Sequence, residues 1–193
     1  MLEDWRLKLP DSWEFKSYRS LGSEVDPVSS YKLQYDEYQS FWVASTWNNY
    51  RMIRILIHES VLTATMKYGS DKEKKELQHR AKTLMEMANG ICYSVPYILG
   101  DRRKIVCPQG TSQAERPNVI PKPGGFLLLW PLFLAGSLST TSKDQRGWIA
   151  LTLREIGLRM GMQLAVSMAT KLEQTTTSFS DRELWLIGEF FPS

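Results

Sequence analysis

His58 and Glu59 stand side by side in an apolar stretch. A zinc-peptidase helix begins this way, because a second His four positions on places two ligands on one helical face. That position is Leu62, so the motif fails. His58 on an apolar stretch then reads as a hydrogen-bonded core residue, and His79, in a polar turn, as solvent-exposed. A nucleophilic pair would need Cys92 beside His58, and no spacing joins them; a buried Cys is ordinarily inert packing. Two cysteines, Cys92 and Cys107, do not supply the four N or S ligands of a structural zinc site. Lys122-Pro123-Gly124-Gly125 lacks the spacing and the Lys-Ser/Thr of a phosphate loop. Glu155, among apolar residues, is expected to pair with Arg154, Arg159 or Arg51. No catalytic residue, metal or cofactor is implied. What remains is a candidate ligand pocket of Trp42, Trp47, Trp130 and Trp148 with His58 as polar handle, since small ligands are held by rings with few polar groups. The competing reading makes these Trp residues ordinary core.

The totals set the frame for these residues. A chain of 193 residues, 42% hydrophobic and 23% charged, fits one globular domain with a sizeable core. The net charge of +3 is mild, and the only tight basic group, Arg102-Arg103-Lys104, reads as a solvated loop end. Direct DNA binding by this chain alone is therefore not expected. The longest apolar run, Phe126 to Gly136, contains Pro131 and falls well short of the ~20 residues of a spanning helix. It predicts a buried core helix and no membrane segment. The opening Met1-Leu2-Glu3-Asp4-Trp5 carries acids where a signal peptide needs positive charge, so an intracellular, soluble protein is expected.

Periodicity supplies the elements that must position these residues. Trp5, Leu7 and Leu9 form a short apolar face closed by Pro10. A polar loop is expected at about 17–38. Val43, Trp47, Tyr50, Ile53, Ile57, Val61 and Ala64 step by three and four, predicting a long helix over about 39–68. Leu77, Ala81, Leu84, Ala88 and Ile91 predict a second over about 72–92, with Pro96 interrupting before Tyr97 and Gly100 closing the segment. The prolines and glycines of 101–125 predict a long loop. Ile149, Leu153, Ile156, Met160, Leu164 and Met168 predict a third long helix over about 145–173. On it Gly157 and Gly161 would permit close approach of another helix, a candidate homodimer face. Thr175 to Ser178 read as a linker before a short helix over about 181–189. No stretch alternates at period two long enough to predict a strand. The fold class is all-α, a bundle of five to seven helices, with stacked helix pairs as one arrangement.

Several of these segments carry a pattern. Trp42-Val43-Ala44-Ser45-Thr46-Trp47-Asn48-Asn49-Tyr50-Arg51, with Ile55-Leu56-Ile57-His58-Glu59 after it, resembles the middle of the fungal-specific transcription factor domain. Ile91-Cys92-Tyr93-Ser94-Val95-Pro96-Tyr97-Ile98-Leu99-Gly100 resembles its next block, and Gly124 through Gly136 its most specific one. Arg146-Gly147-Trp148 and Ile156-Gly157-Leu158-Arg159-Met160-Gly161 resemble the last, and Trp5 to Trp13 the lead-in. The blocks stand in family order over most of the chain. The resemblance implies an all-helical regulatory and effector-responding region, which in that family follows an N-terminal zinc binuclear cluster. The cluster is missing from these residues, so the chain is expected either as a fragment of a longer regulator or as a standalone product.

Two functions follow as expectations. The first is transcription regulation in the nucleus, frequently of secondary metabolism in that family, through a protein partner or a small-molecule effector. The alternative is a small-molecule-binding protein or enzyme of a fungal biosynthetic pathway, using the Trp-lined pocket.

Overall fold

A computed structural model describes residues 2–19, 30–68, 76–100 and 124–174. Among them are six α-helices and one two-stranded sheet: α1 (Leu2–Leu7), β1 (Lys16–Arg19), β2 (Gln34–Glu37), α2 (Phe41–Tyr68), α3 (Leu77–Leu99), α4 (Gly125–Ser137), α5 (Lys143–Met160) and α6 (Gln163–Gln174). The expected mostly-α multi-helix fold is what the chain adopts. The helices form two antiparallel pairs, α2 with α3 and α5 with α6, and α4 packs against members of both.

Helix α2 runs 28 residues without Gly or Pro. Ser40 Oγ accepts a hydrogen bond from the Val43 amide at 3.2 Å, satisfying one of the amides that a helix start leaves unpaired. Helix α3 does not stop near Cys92 as its pattern suggested. It passes through Pro96 and ends at Gly100, whose φ of 74° is the left-handed cap that glycine adopts without strain. Pro96 removes one hydrogen bond in the last turn, and burial of Val95 and Ile98, each 1% exposed, offsets the loss. Pro131 sits inside α4 on the same terms: Leu128, Leu129, Leu132 and Ala135 around it are fully buried. The carbonyls that α4 leaves open at its C-terminal end are taken up by side chains. Thr141 Oγ1 donates to the Ala135 carbonyl at 2.6 Å, and Arg146 donates to those of Gly136 and Leu138 at 3.0 and 3.1 Å.

The third long helix of the sequence pattern is two helices. Gly161, at φ 68°, ends α5 in the left-handed region, and α6 folds back along it. The reversal needs a bare backbone at Gly157 too, where a Cβ would stand 2.6 Å from Val166 Cγ2. The expected close approach is made at Gly157, within the chain and by α6, while Gly161 has no neighbour within 4 Å of a Cβ and serves the turn.

The expectation of an unstructured loop over 17–38 is also corrected. β1 and β2 pair antiparallel, Ser17 opposite Asp36 and Tyr18 opposite Tyr35. The two tyrosines stack with centroids 5.3 Å apart, and Lys16 stands opposite Glu37, so the hairpin is held by cross-strand pairs. All four residues of β1 are exposed, which erases the alternation that betrays a strand in sequence. Residues 20–29, and the expected features at 69–75 (the Gly69 stop and the charged start of α3), 101–123 and 175–193, lie outside the described residues.

Candidate functional site

The densest polar arrangement in the interior is centred on Arg51 of α2, which is 4% exposed. Strand β2 delivers Asp36 to it at 3.2 Å, the two side chains forming a buried ion pair. Its Nη1 donates to Tyr38 Oη at 2.8 Å and to Asn48 Oδ1 at 3.0 Å. Tyr38 donates onward to Asp36, which also accepts from Ser17 Oγ of β1 at 2.7 Å. On the other side Asn48 donates to Ser94 Oγ at 2.8 Å, and Ser94 donates to the Ile91 carbonyl in α3. The guanidinium lies over the rings of Phe15, Tyr38 and Trp47 at 5.1 to 5.9 Å from their centroids. A buried charge of either sign is tolerated only when paired and hydrogen-bonded, and the network meets that condition. Burial pushes the Tyr38 hydroxyl well above its ordinary range, so it stays a neutral donor. The arrangement ties the hairpin to the α2–α3 pair and offers no free base or nucleophile.

Cys92 of α3 lies below this network, fully buried. Burial raises its thiol to about 12, outweighing a contact from Gln145 Nε2 at 3.6 Å. Gln145 donates also to Asn89 Oδ1 at 3.0 Å, joining α5 to α3. A protonated, enclosed thiol is packing, as the sequence suggested. Above it Tyr31 tilts against Trp148 with centroids 5.3 Å apart, and burial lifts its hydroxyl to about 12.

His58 departs from its expected role. It is partly buried, and its Nδ1 is enclosed without a hydrogen-bond partner among the described residues. Burial, then the nearby cations of Arg54 and Arg80, hold its pKa below the ordinary value, so the imidazole is neutral. Its neighbour Glu59 faces another element and accepts from Ser139 Oγ, after α4, at 3.1 Å. Glu155 pairs with Arg159, one of the three partners expected, while Arg51 is committed to Asp36.

The structure does not gather the five proposed pocket residues. Trp47 is core: it packs on Trp5, Phe15 and Tyr50, and its indole N–H donates to the Trp13 carbonyl at 2.8 Å. Trp42, five residues earlier and so about 140° around the helix, is 78% exposed. Trp130 on α4 is 58% exposed. Trp148 meets Tyr31, and His58 lies beside Arg54 and Arg80. What sequence reasoning missed is the Arg51 centre. An Arg inside the apolar stripe of a helix, with Asp36 and Tyr38 in a nearby polar segment, is the signal that was present.

Among the described residues no group of three or more His, Cys, Asp and Glu is placed to hold a metal ion. No described helix is long and apolar enough to cross a membrane. No family model, curated protein or solved structure matches the chain.

Proposed function

We propose that the chain works as a transcription-regulatory domain of the kind its sequence blocks resemble, acting in the nucleus through a protein partner or a small effector and not reading bases itself. The observation that carries this reading is where the resembling blocks meet. Asn48 and Arg51 from the first block engage Ser94 and the backbone around Gly90, at the start of the second. Gly136 at the end of the third packs against Ile149 beside the fourth, and Arg146 of the fourth closes the end of the third. Residues that pattern together in sequence are therefore those that hold the helices to one another. The polar groups of Asn48, Arg51, Ser94 and Arg146 are consumed in this bonding, which suits a scaffold that responds to a partner better than it suits an active site.

The test is a fusion to a heterologous DNA-binding domain, read on a reporter. A several-fold change in output relative to the DNA-binding domain alone is expected, and its loss in an Arg51→Met fusion ties it to the folded chain. A fusion whose output equals that of the DNA-binding domain alone sinks the proposal. So does a salt-resistant, sequence-specific complex of the isolated chain with duplex DNA.

A further inference from the structure

The enclosed Nδ1 of His58 has no hydrogen-bond partner among the described residues. An enclosed polar atom left so is uncommon in folded proteins, and a bound ion or water is one of the few things that satisfies it. Its surroundings narrow the choice. Arg54 stands one turn before His58 on α2, and side chains four apart on a helix are neighbours. Arg80 comes from α3. The two helices run antiparallel, with Asn48 bonded to Ser94 and Arg51 packed on Gly90. Carried on along α2, that register brings His58 level with Thr83, and Arg80 stands within a turn of it, about 4.5 Å along the axis. His79 adds a second imidazole from α3, and Glu3 of α1 brings a carboxylate. Arg54 is anchored by donating to Tyr50 Oη at 3.0 Å. The outer partners of the two arginines are held more loosely. Glu3 is shared between Arg54 and Arg6, and Glu76 pairs with Arg80 at 3.3 Å. These carboxylates are 51 and 71% exposed, while the Arg54 and Arg80 side chains are largely buried. Ion pairs of that kind contribute little to stability and exchange readily for another oxyanion.

We propose that Arg54, His58 and Arg80 form a binding site for a small molecule that bears a phosphate group. Glu3 serves the Arg54 side and Glu76 the Arg80 side, and neither carboxylate spans both. A phosphate carries nearly two charges and three strong acceptor oxygens. One such group accepts from both guanidinium groups and from the imidazole at once, in charge-assisted bonds. Seated there, it also favours a protonated His58, which reverses the effect that Arg54, Arg80 and His79 have on that ring and adds to that of Glu3. Binding is therefore coupled to proton uptake near neutral pH. In the proposed regulator this ligand is the small effector. That role rests on the regulatory reading, whereas the binding itself does not.

Isothermal titration of the full chain with inorganic phosphate, sulfate and acetate at matched ionic strength tests this. Sulfate has the shape and charge of phosphate and exchanges no proton near neutrality, so any uptake it causes belongs to the protein. Phosphate and sulfate are expected to bind and to raise the melting temperature by several degrees, and acetate to do neither. Sulfate titrations at pH 7 in two buffers of different ionisation enthalpy should show proton uptake. His58→Gln is expected to abolish that uptake and Arg80→Gln to weaken binding at least tenfold, each with unchanged helical circular dichroism. Lys82→Gln, on the exposed side of α3, should leave both intact. Should a variant fail to fold, the comparison of sulfate with acetate on the unaltered chain still decides. The proposal is overturned if neither phosphate nor sulfate binds at millimolar concentration, if acetate binds equally well, or if Arg80→Gln binds as the unaltered chain does. A reporter fusion that is active while the chain binds neither anion removes the site and leaves the regulatory reading. An inert fusion of a chain that binds phosphate as expected does the reverse.

Discussion

Arg51 lies so close over α3 that a Cβ on Gly90 would stand 2.6 Å from its Nε. The smallest residue of one helix is thus matched to the longest cation of the other. Gly90→Ala should force the guanidinium to shift and loosen the Asp36 pair, at a cost of about 1–3 kcal/mol, the range for overpacking a filled core. Urea unfolding of the two proteins measures it, and an unchanged midpoint would mean the guanidinium has slack.

Removing one partner of the pair should cost more than removing both. Arg51→Met leaves Asp36 buried and unpaired, with an expected loss of about 3–5 kcal/mol. The double substitution Arg51→Met with Asp36→Leu should recover a large share of it, because the stranded carboxylate is gone. Equilibrium unfolding of the single and double variants forms the cycle, and a double variant as unstable as the sum of the singles contradicts it.

Cys92 should be silent toward thiol reagents in the native state. With its pKa at about 12, only about one molecule in 10⁴ carries the thiolate at pH 8, even before burial blocks access. Labelling in a Cys107→Ser background should proceed only in denaturant. Rapid labelling without denaturant would show that α3 opens locally.

His58 should impose a pH dependence of definite sign. Its folded pKa is depressed by burial and by Arg54 and Arg80. The unfolded chain therefore binds the proton first as pH falls, and protonation draws the equilibrium toward it. The stability contribution is whole above the unfolded value of about 6.5 and declines as pH drops from there toward the folded pKa. His58→Gln should lose stability less steeply over that interval. Thermal melts from pH 7.5 to 5 read the difference, and parallel curves for the two proteins would refute it.

Gly161 should tolerate no side chain cheaply. At φ 68° an alanine pays about 1–2 kcal/mol, and Gly157→Val should add a clash with Val166 that pushes α6 off α5. Both are expected to lower the melting temperature, and an unaffected Gly161→Ala would place the reversal elsewhere.

The helices were legible because their buried residues recur at three and four: Leu77, Ala81, Leu84, Ala88 and Ile91 of α3 need no tertiary knowledge to be found. Helix ends were less so. Pro96 looked like a stop because sequence displays the hydrogen bond a proline removes and hides the burial of Val95 and Ile98 that compensates. Gly161 looked like a contact residue because nothing local distinguishes a glycine that turns the chain from one that makes room. The strands were invisible, being four residues each with β1 wholly exposed. The Trp-lined pocket misled for a related reason. Ring type predicts burial on average, yet Trp42 and Trp47 stand on different faces of one helix, and the apolar pattern of α2 was wide enough to hide which face was inside.

Side chains of a strand alternate between its faces, so moving β2 by a single residue would carry Asp36 to the far side. Arg51 would then face Tyr35 or Glu37 without the Ser17 and Tyr38 bonds that complete its shell. Of the residues of β2, Asp36 alone brings the Ser17 and Tyr38 bonds to the ion pair, so Arg51 favours the register that presents it, in a strand pair too short and too exposed to specify that alignment by hydrophobic pattern alone.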